Sequence, residues 1–319
     1  MQIGFHASHE QMPPSALLAA VQAAERAGFE AAMCSDHFSP WSAQQGESGY
    51  AWAWLGAALQ ATSCPFGVVT APGQRYHPAI VAQSIATLAE MFPGRFWAAL
   101  GSGEASNEHI TGDRWPAKHE RDARLLECVG VIRALLDGDE VSHRGHVVVD
   151  RARLWSLPSE PPMLFGAAVS AATARVVGSW ADGLITIDQS AEVLRSVIDA
   201  FRSNGGADKP VAVQVHLSWA PTEEEAEAIA LDQWGVNVFP SDLAWNLELA
   251  SQFDALRPFT SIDDVRRAVH VSSRPEVHAA HLADLRDLGV DRVYLHHVGQ
   301  TQREFVETFG EHVLPELRS

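Results

Sequence analysis

The feature that most constrains the fold of this chain is a repeated alternation of short apolar runs with longer segments of helical periodicity. Helices are predicted over residues 15–27, 51–61, 78–91 and 118–136. Eight apolar runs are predicted to be strands, at residues 2–6, 31–35, 66–70, 96–100, 163–166, 183–186, 212–217 and 292–296. Strands separated by helices pair in parallel, because a parallel crossover requires about a dozen residues. The alternation therefore predicts an α/β fold, a closed TIM-type (β/α)8 barrel with helical insertions.

The length of 319 residues and the continuity of the pattern predict a single domain spanning residues 1–319. Barrels of this type commonly have about 250 residues, and more when they carry insertions. Residues 222–274 are less regular and contain scattered tryptophan and proline. We expect this segment to be a helical insertion in the barrel.

The composition argues against several classes of partner. The formal net charge is −17, and only two residues are lysines, Lys118 and Lys209. A surface this acidic repels phosphate backbones and anionic membranes, so neither nucleic acid nor a membrane is expected as a partner. The three cysteines are too far apart to suggest a disulfide framework or a metal site. With no charged leader and no apolar run of roughly 18 residues, we expect a cytoplasmic enzyme acting on a small molecule.

Polar side chains follow two of the predicted strands at their carboxyl ends, where the active site of a barrel lies. The second strand is followed by Asp36, His37 and, after a turn, Trp41; the fourth is followed by Gly101-Ser102-Gly103-Glu104 and Asn107. A histidine and a glutamate at nearby strand ends can act as base and acid, and an indole can stack on a flat ring. An Asp-His pair can equally cap the next helix, and most of the ten tryptophans must be structural. The pattern alone leaves both readings open.

These residues belong to a larger set of motifs that resembles the luciferase-like monooxygenase superfamily. Within it, the chain resembles the deazaflavin (coenzyme F420)-dependent glucose-6-phosphate dehydrogenases, and most closely a branch of FMN-type oxidoreductases of unknown substrate. The shared motifs are Ala7-Ser8 with Glu10-Gln11, Ser35-Asp36-His37-Phe38 with Pro40-Trp41, Arg75-Tyr76 with Pro78-Ala79, and Gly101-Ser102-Gly103-Glu104 with Asn107-Glu108. Arg303 with Phe305 and Leu314-Pro315 match near the C-terminus, so the resemblance extends over nearly the whole chain and the combined set is specific.

The resemblance implies a role for each matching residue. His37 would be the base toward a substrate hydroxyl, Trp41 would stabilise the transition state, and Glu104 would be the acid toward the cofactor ring. The residues implied in cofactor contact are Asp36, Val69, Thr70, Ser102, Gly103, Asn107, Ala167 and Ala168. The relatives carry a non-proline cis peptide near the end of the third strand, but this chain is one residue shorter there, which leaves a cis bond at Val69-Thr70 open. A homodimer is implied by the resemblance alone.

The substrate clamp of the sugar-phosphate dehydrogenases is not matched. Those relatives hold the phosphate with lysines and an arginine from the later loops. Here the corresponding loop reads Asp188-Gln189-Ser190-Ala191, and no lysine follows Lys209. Phosphate recognition depends on fixed cations, so glucose 6-phosphate is not expected to be the substrate.

Two cofactors fit the motifs. FMN and F420 both place a tricyclic ring in the barrel mouth, but F420 adds a polyglutamate tail that favours a basic groove. An acidic chain with two lysines is a poor host for that tail, so FMN is placed first and F420 second. The expected function is hydride transfer or reduced-flavin monooxygenation on an unknown small organic substrate. The alternatives are an F420-dependent dehydrogenase of a sugar or alcohol and a non-catalytic flavin-binding protein.

Overall fold

A computed structural model of the protein describes residues 1–318. The strands are β1 (Gln2–Ala7), β2 (Ala31–Ser35), β3 (Phe66–Thr70), β4 (Phe96–Leu100), β5 (Val141–Arg144), β6 (Val148–Ala152), β7 (Leu164–Ala167), β8 (Gly183–Ile187), β9 (Val211–Ser218), β10 (His270–Val271) and β11 (Arg292–His297). The helices are α1 (Pro14–Ala27), α2 (Ala51–Ala61), α3 (Pro78–Met91), α4 (Ala105–Glu108), α5 (Lys118–Leu136), α6 (Ala171–Gly178), α7 (Ala191–Phe201), α8 (Glu223–Trp234), α9 (Ser241–Ala244), α10 (Ala250–Asp254), α11 (Ile262–Val265), α12 (Pro275–Asp287), α13 (Gln302–His312) and α14 (Leu314–Arg318). Within this part of the chain, we find no helix with the length and apolar character of a membrane span.

Eight of the strands close into a barrel. Parallel neighbours follow the order β1, β2, β3, β4, β7, β8, β9 and β11, and β11 pairs back to β1 with Gln2 opposite Arg292. The predicted (β/α)8 barrel is confirmed, and each predicted strand agrees with the observed one to within one residue at either end. The agreement has a physical cause, since strands buried on both faces appear in a sequence as nearly continuous apolar runs.

Two pieces of the sheet structure lie outside the predicted alternation. An antiparallel hairpin of β5 and β6 stands between α5 and β7, with Val141 opposite Ala152. The two-residue strand β10 extends the sheet beside the end of β9, where His270 pairs with Leu217. Between α8 and β10 the chain forms the short helices α9, α10 and α11 and two 3-10 turns, at Gly235–Asn237 and Arg257–Phe259. These elements occupy the stretch for which we expected a helical insertion.

Large aromatic side chains fill the amino-terminal part of the barrel. Trp97, Phe165 and Tyr294 are buried together, with ring centroids 4.8 Å apart for Trp97–Phe165 and 5.6 Å for Trp97–Tyr294. Two glycines make room for them: a Cβ at Gly67 would lie 2.0 Å from Trp97 Cε2, and one at Gly4 would lie 2.5 Å from Tyr294 Cδ1. This packing leaves the carboxyl ends of the strands as the place where a ligand can enter, as in other barrels.

Gly67→Ala is expected to lower the free energy of unfolding by about 1–3 kcal/mol, because the added methyl group overlaps the Trp97 ring that Phe165 and Tyr294 hold in place. Gly56→Ala is the matched control. Gly56 lies within α2 and its added carbon would have no neighbour within 4 Å, so alanine should raise stability by roughly 0.5–1 kcal/mol. Urea unfolding followed by circular dichroism measures both changes. Equal unfolding midpoints for the two variants would contradict the packing described.

Candidate active site

The open end of the barrel is marked by partly exposed residues within, or directly after, strands that are otherwise buried. Five inward-facing residues share this property: Val69, Gly101, Ala167, Ile187 and Gln214. Each follows an interior residue by two positions, and side chains two apart lie on the same face of a strand. We call these five the mouth residues. Four of them are small or apolar, and Gln214 is polar.

Asp36, the first residue after β2, is buried and points into the barrel wall. Its Oδ2 accepts hydrogen bonds from Thr70 Oγ1 at 2.8 Å and Trp52 Nε1 at 3.2 Å, and its Oδ1 accepts from the Tyr76 hydroxyl at 3.1 Å. Arg75 Nη2 lies 3.6 Å from Oδ2 and donates to the Asp36 carbonyl oxygen at 2.7 Å. The carboxylate is thus paired and hydrogen-bonded, as a buried charge must be. Direct contact between Asp36 and a cofactor stays a prediction.

His37 is held by a buried carboxylate from the segment after β1. Its Nδ1 lies 2.7 Å from Glu10 Oε1, and Glu10 Oε2 accepts a hydrogen bond from Ser8 Oγ at 2.6 Å. Burial, the largest single influence, lowers the pKa of His37, but the charge and hydrogen bond of Glu10, with the charge of Glu104, outweigh it and raise the pKa. Burial raises the pKa of Glu10, yet His37 and nearby hydroxyls hold it well below its usual range. With Nδ1 held, Nε2 is the nitrogen that can exchange a proton with a ligand.

Trp41 lies beside His37 in an aromatic cluster. The ring centroids of the two residues are 4.6 Å apart at an interplanar angle of 78°. Trp234, at the end of α8, contacts Trp41 at 5.4 Å, and the Trp41 backbone N–H donates to Gln45 Oε1 at 3.0 Å. Edge-to-face contacts of this kind favour one orientation of each ring. The structure therefore brings together two residues that the sequence analysis placed in one site.

Helix α4 follows β4 and is hydrogen-bonded to the segment that follows β2. Asn107 Oδ1 accepts the backbone N–H of Phe38 at 2.8 Å, which ties α4 to the segment that carries His37. Glu104 immediately precedes α4, and its charge acts on His37. The candidate base and the candidate acid, which come from separate strand ends, therefore lie near each other at the mouth, and their shared role stays a prediction.

Ser102 and Gly103 form a partly exposed turn between β4 and α4. Gly103 has a φ of 81°, which glycine adopts without strain, and a Cβ there would lie 3.2 Å from Glu108 Cγ. The Gly103 carbonyl accepts a hydrogen bond from Arg121 Nη1 at 3.4 Å. A turn without bulky side chains lets a ligand approach the backbone closely. Its contact with a cofactor stays a prediction.

The four remaining predicted cofactor residues divide between the mouth and the wall. Val69 and Ala167 are mouth residues, and a Cβ on Gly101 would lie 3.6 Å from the Ala167 Cβ. Thr70 instead bonds the buried carboxylate behind it, and Ala168 is buried with its N–H paired to the next strand. The Val69–Thr70 peptide bond is trans, as are the other peptide bonds of residues 1–318.

Cationic groups near the mouth are engaged by other side chains. Arg75 lies between two buried carboxylates, with its Nη2 3.6 Å from Asp36 Oδ2 and its Nε 3.6 Å from Glu108 Oε1. The Arg121 guanidinium packs over the Trp115 ring at 4.3 Å. A cation already paired in this way contributes little to binding a phosphate.

The loop after β8, where the phosphate clamp of the relatives is unmatched, carries an acid–imidazole pair. Asp188 Oδ2 lies 2.6 Å from His281 Nε2, and the His281 ring stacks on His270 at 4.3 Å. Burial lowers the pKa of His281, but the hydrogen bond and charge of Asp188 more than offset it and raise the pKa. When His281 is protonated, Asp188 neutralises it. This loop therefore offers a phosphate no net positive charge.

Three residues complete the site that the sequence analysis did not single out as functional: Glu10, Trp234 and Gln214. Glu10 was quoted only within a shared motif, although its place just after β1, beside the strand that ends near His37, was a usable signal. Trp234 lies in the irregular stretch, where nothing in the local pattern indicated contact with Trp41. Gln214 could be found only from the inward direction of its side chain.

Part of the α8–β10 stretch lies against the segment that follows β4. The Trp245 carbonyl accepts the Ala105 N–H at 3.0 Å, and Asn246 Oδ1 accepts from Trp115 Nε1 at 3.0 Å. The same stretch follows Trp234, which packs near β2 and β9. The chain thus passes from one side of the barrel end to the other and forms a wall beside the site.

Comparisons with known proteins agree on one family. The family model described as luciferase-like monooxygenase matches residues 1–292. An F420-dependent glucose-6-phosphate dehydrogenase of Segniliparus rotundus is 33% identical, covering 100% of this chain and 98% of the relative. An F420-dependent hydroxymycolic acid dehydrogenase of Mycobacterium tuberculosis is 32% identical, covering 99% and 88%. Among solved structures, an F420-dependent secondary alcohol dehydrogenase in complex with an F420–acetone adduct matches with a TM-score of 0.92 and 28% identity, covering 100% of this chain and 99% of that one.

Glu10→Gln is expected to lower the pKa of His37, because burial then acts without the opposing negative charge. The raised pKa means that the folded protein protonates His37 at a higher pH than an isolated imidazole, so loss of Glu10 moves the titration toward lower pH. Histidine ring resonances followed by NMR across a pH series measure this, with His37→Ala identifying the signal. Glu90→Gln removes an exposed carboxylate of α3 and serves as the control. An unshifted His37 titration in Glu10→Gln would rule out the pairing.

Proposed function

The chain belongs to the luciferase-like monooxygenase family, and we propose that it is an F420-dependent dehydrogenase that oxidises an uncharged secondary alcohol to a ketone. That it is an oxidoreductase acting on a small molecule follows from the family. The observation that carries the proposal is the contact between His37 and Glu10, which places a polarised imidazole next to Trp41 at the open end of the barrel.

His37 is the base in this proposal. Its Nε2 takes the hydroxyl proton of the alcohol, and the resulting imidazolium is stabilised by Glu10 at Nδ1. Trp41 packs against the imidazole and fixes the ring that receives the proton. Glu104 is the candidate proton donor on the side of the cofactor ring. Buried donors and acceptors fixed in advance act without reorganisation during the reaction.

The mouth residues fit a flat tricyclic ring. The apolar part of the mouth has no long or charged side chains and consists of Val69, Gly101, Ala167 and Ile187. The turn at Gly103 adds accessible backbone. These residues would hold the ring, and F420, when bound, supplies a ring carbon that accepts the hydride. FMN was placed first from the acidic composition, but the named relatives support F420.

The charges around the site support an uncharged substrate. Arg75 is shared between two carboxylates, and Asp188 neutralises His281 in the loop where a phosphate clamp would be expected. Phosphate binding relies on unpaired, fixed cations. The solved relative with a TM-score of 0.92 is a secondary alcohol dehydrogenase, which supports an alcohol rather than a sugar phosphate.

The test is a parallel titration of the apo-protein with F420 and with FMN, followed by turnover assays with secondary alcohols. F420 should bind more tightly than FMN and be reduced when an alcohol is present. His37→Ala and Glu104→Gln should each lower turnover by roughly 100-fold or more, with F420 affinity nearly unchanged. His312→Ala removes an exposed histidine of α13 and should leave turnover unchanged.

Tighter binding of FMN than of F420 would overturn the cofactor assignment. Tight F420 binding with no turnover of any alcohol would favour the non-catalytic alternative. Wild-type turnover in both His37→Ala and Glu104→Gln would remove these residues from the mechanism.

We also infer a cytoplasmic homodimer. The dimer rests on the family resemblance, and the three cysteines, Cys34, Cys64 and Cys128, are buried free thiols, as is usual in reducing compartments. Light scattering coupled to size exclusion should give twice the mass of the chain, and a mass of one chain would contradict the dimer.

A further inference from the structure

Three neighbouring strands each place a histidine on the inner face of the barrel near the mouth. The closure pairs Phe5 with Leu295, and His296 is paired with His216, so His6, His296 and His216 stand side by side. Their ring centroids are 4.4 Å apart for His6–His296 and 5.3 Å for His216–His296. All three are buried. None of them belongs to the proposed proton transfer.

Hydrogen bonds determine which ring nitrogen of His296, the middle histidine of the three, carries the proton. Gln11 Nε2 donates to the Val298 carbonyl, so its Oε1 must accept, and it does so from His296 Nε2 at 2.7 Å. A neutral imidazole carries one proton, so His296 Nδ1 is an acceptor. It lies 3.2 Å from Gln214 Nε2, which therefore donates to it.

The same amide is shared with the third histidine. Gln214 Nε2 lies 3.1 Å from His216 Nε2, so the two N–H bonds of this amide are directed to His296 and His216. The arrangement requires both imidazoles to be neutral, and burial lowers the pKa of His216 to about 4 and that of His296 well below its usual value. Because both N–H groups of the amide are used, the Gln214 Oε1 is the atom of this side chain that remains free to accept a hydrogen bond. Gln214 is the one polar residue among the five mouth residues.

Gln214 is linked to the proposed base through a row of aromatic contacts. The His216 and His296 rings contact Trp234 at 4.5 and 5.0 Å, and Trp234 contacts Trp41, which packs on the proposed base. Val69, Gly101 and Ala167 lie at the ends of β3, β4 and β7, while Ile187 on β8 is the direct neighbour of Gln214. A ligand group near Gln214 would therefore lie at the edge of the cofactor ring, on the side of Trp234 and Trp41.

The His6 ring, which packs on His296, has a nitrogen without a partner in the described part of the chain. His6 is 4% exposed, and its Nδ1 is buried without a hydrogen-bond partner among residues 1–318. An unpaired buried polar atom costs on the order of 1–3 kcal/mol, so a partner is expected when the site is filled. Burial also lowers the pKa of His6 to about 3, which keeps its ring neutral.

We propose that Gln214 and His6 form a neutral hydrogen-bonding subsite for a second hydroxyl group of the substrate, beside the carbon that is oxidised. The proposal rests on the alcohol oxidation proposed above and names its substrate class as a diol or polyhydroxy compound. A hydroxyl donates to Gln214 Oε1 and can also bond the His6 ring, because it is both donor and acceptor. An anion would meet the carbonyl oxygen of Gln214 and is disfavoured.

The test compares cyclohexanol with its vicinal diol. Calorimetric binding to the cofactor-free protein should show the diol binding about tenfold more tightly, and kcat/KM with F420 should show a similar preference. Gln214→Leu, of similar size but without the amide, should reduce this ratio to about one. His6→Phe keeps the ring contact with His296 and should reduce it in the same way. Gln22→Leu is the control, since Gln22 is a half-buried amide of α1 that donates to the Ala61 carbonyl.

The outcomes separate the subsite from the dehydrogenase activity. A diol preference that Gln214→Leu and His6→Phe abolish supports the subsite, even when no alcohol is turned over and the proposed reaction fails. Equal binding of the two alcohols to the wild type overturns the subsite. So does a Gln214→Leu variant that weakens F420 binding and keeps the diol preference, because Gln214 would then contact the cofactor. If Gln214→Leu does not fold, His6→Phe decides alone.

Discussion

The pairing of β11 with β1 is the constraint on which the rest of this structure depends. It closes the sheet and joins residues from the two ends of the chain into one wall. Gln11 and His296, 285 residues apart in sequence, share a hydrogen bond across this wall. In an open sheet the carboxyl ends of the strands would form a line. Closure makes them a ring, so groups from β1, β2, β4 and β9 surround one space.

Two buried carboxylates at this ring, Asp36 and Glu10, have different roles because they have different hydrogen-bonding partners. Asp36 is saturated by hydroxyl, indole and guanidinium donors and stabilises the wall. Glu10 holds His37 in one orientation and favours its protonated form. Each charge would cost several kcal/mol if it were buried alone, so each is found with a counterpart. The division leaves His37 as the group whose proton can move.

The surroundings of this redox centre are polar but carry little unpaired charge. Arg75 is shared between two buried carboxylates, and the histidines at the ends of β1, β9 and β11 are kept neutral by burial. Chemistry and selectivity are therefore separable in this barrel. We propose that the chemistry common to the family supplies the hydride acceptor and the base, while the amide–imidazole network around Gln214 sets the preference of this chain among alcohols.

The sequence by itself determined where the barrel strands begin and end, because burial on both faces leaves a local apolar signature. It also placed His37, Trp41 and Glu104 after strand ends, where barrel chemistry collects, and their catalytic roles stay predictions. The hairpin of β5 and β6 could not be predicted from the sequence in this way, because its residues are half exposed and leave no continuous apolar run. The partners of the site were decided only by the tertiary structure. Contact between Glu10 and His37, or between Trp234 and Trp41, depends on register and side-chain direction across distant segments, which no local pattern encodes.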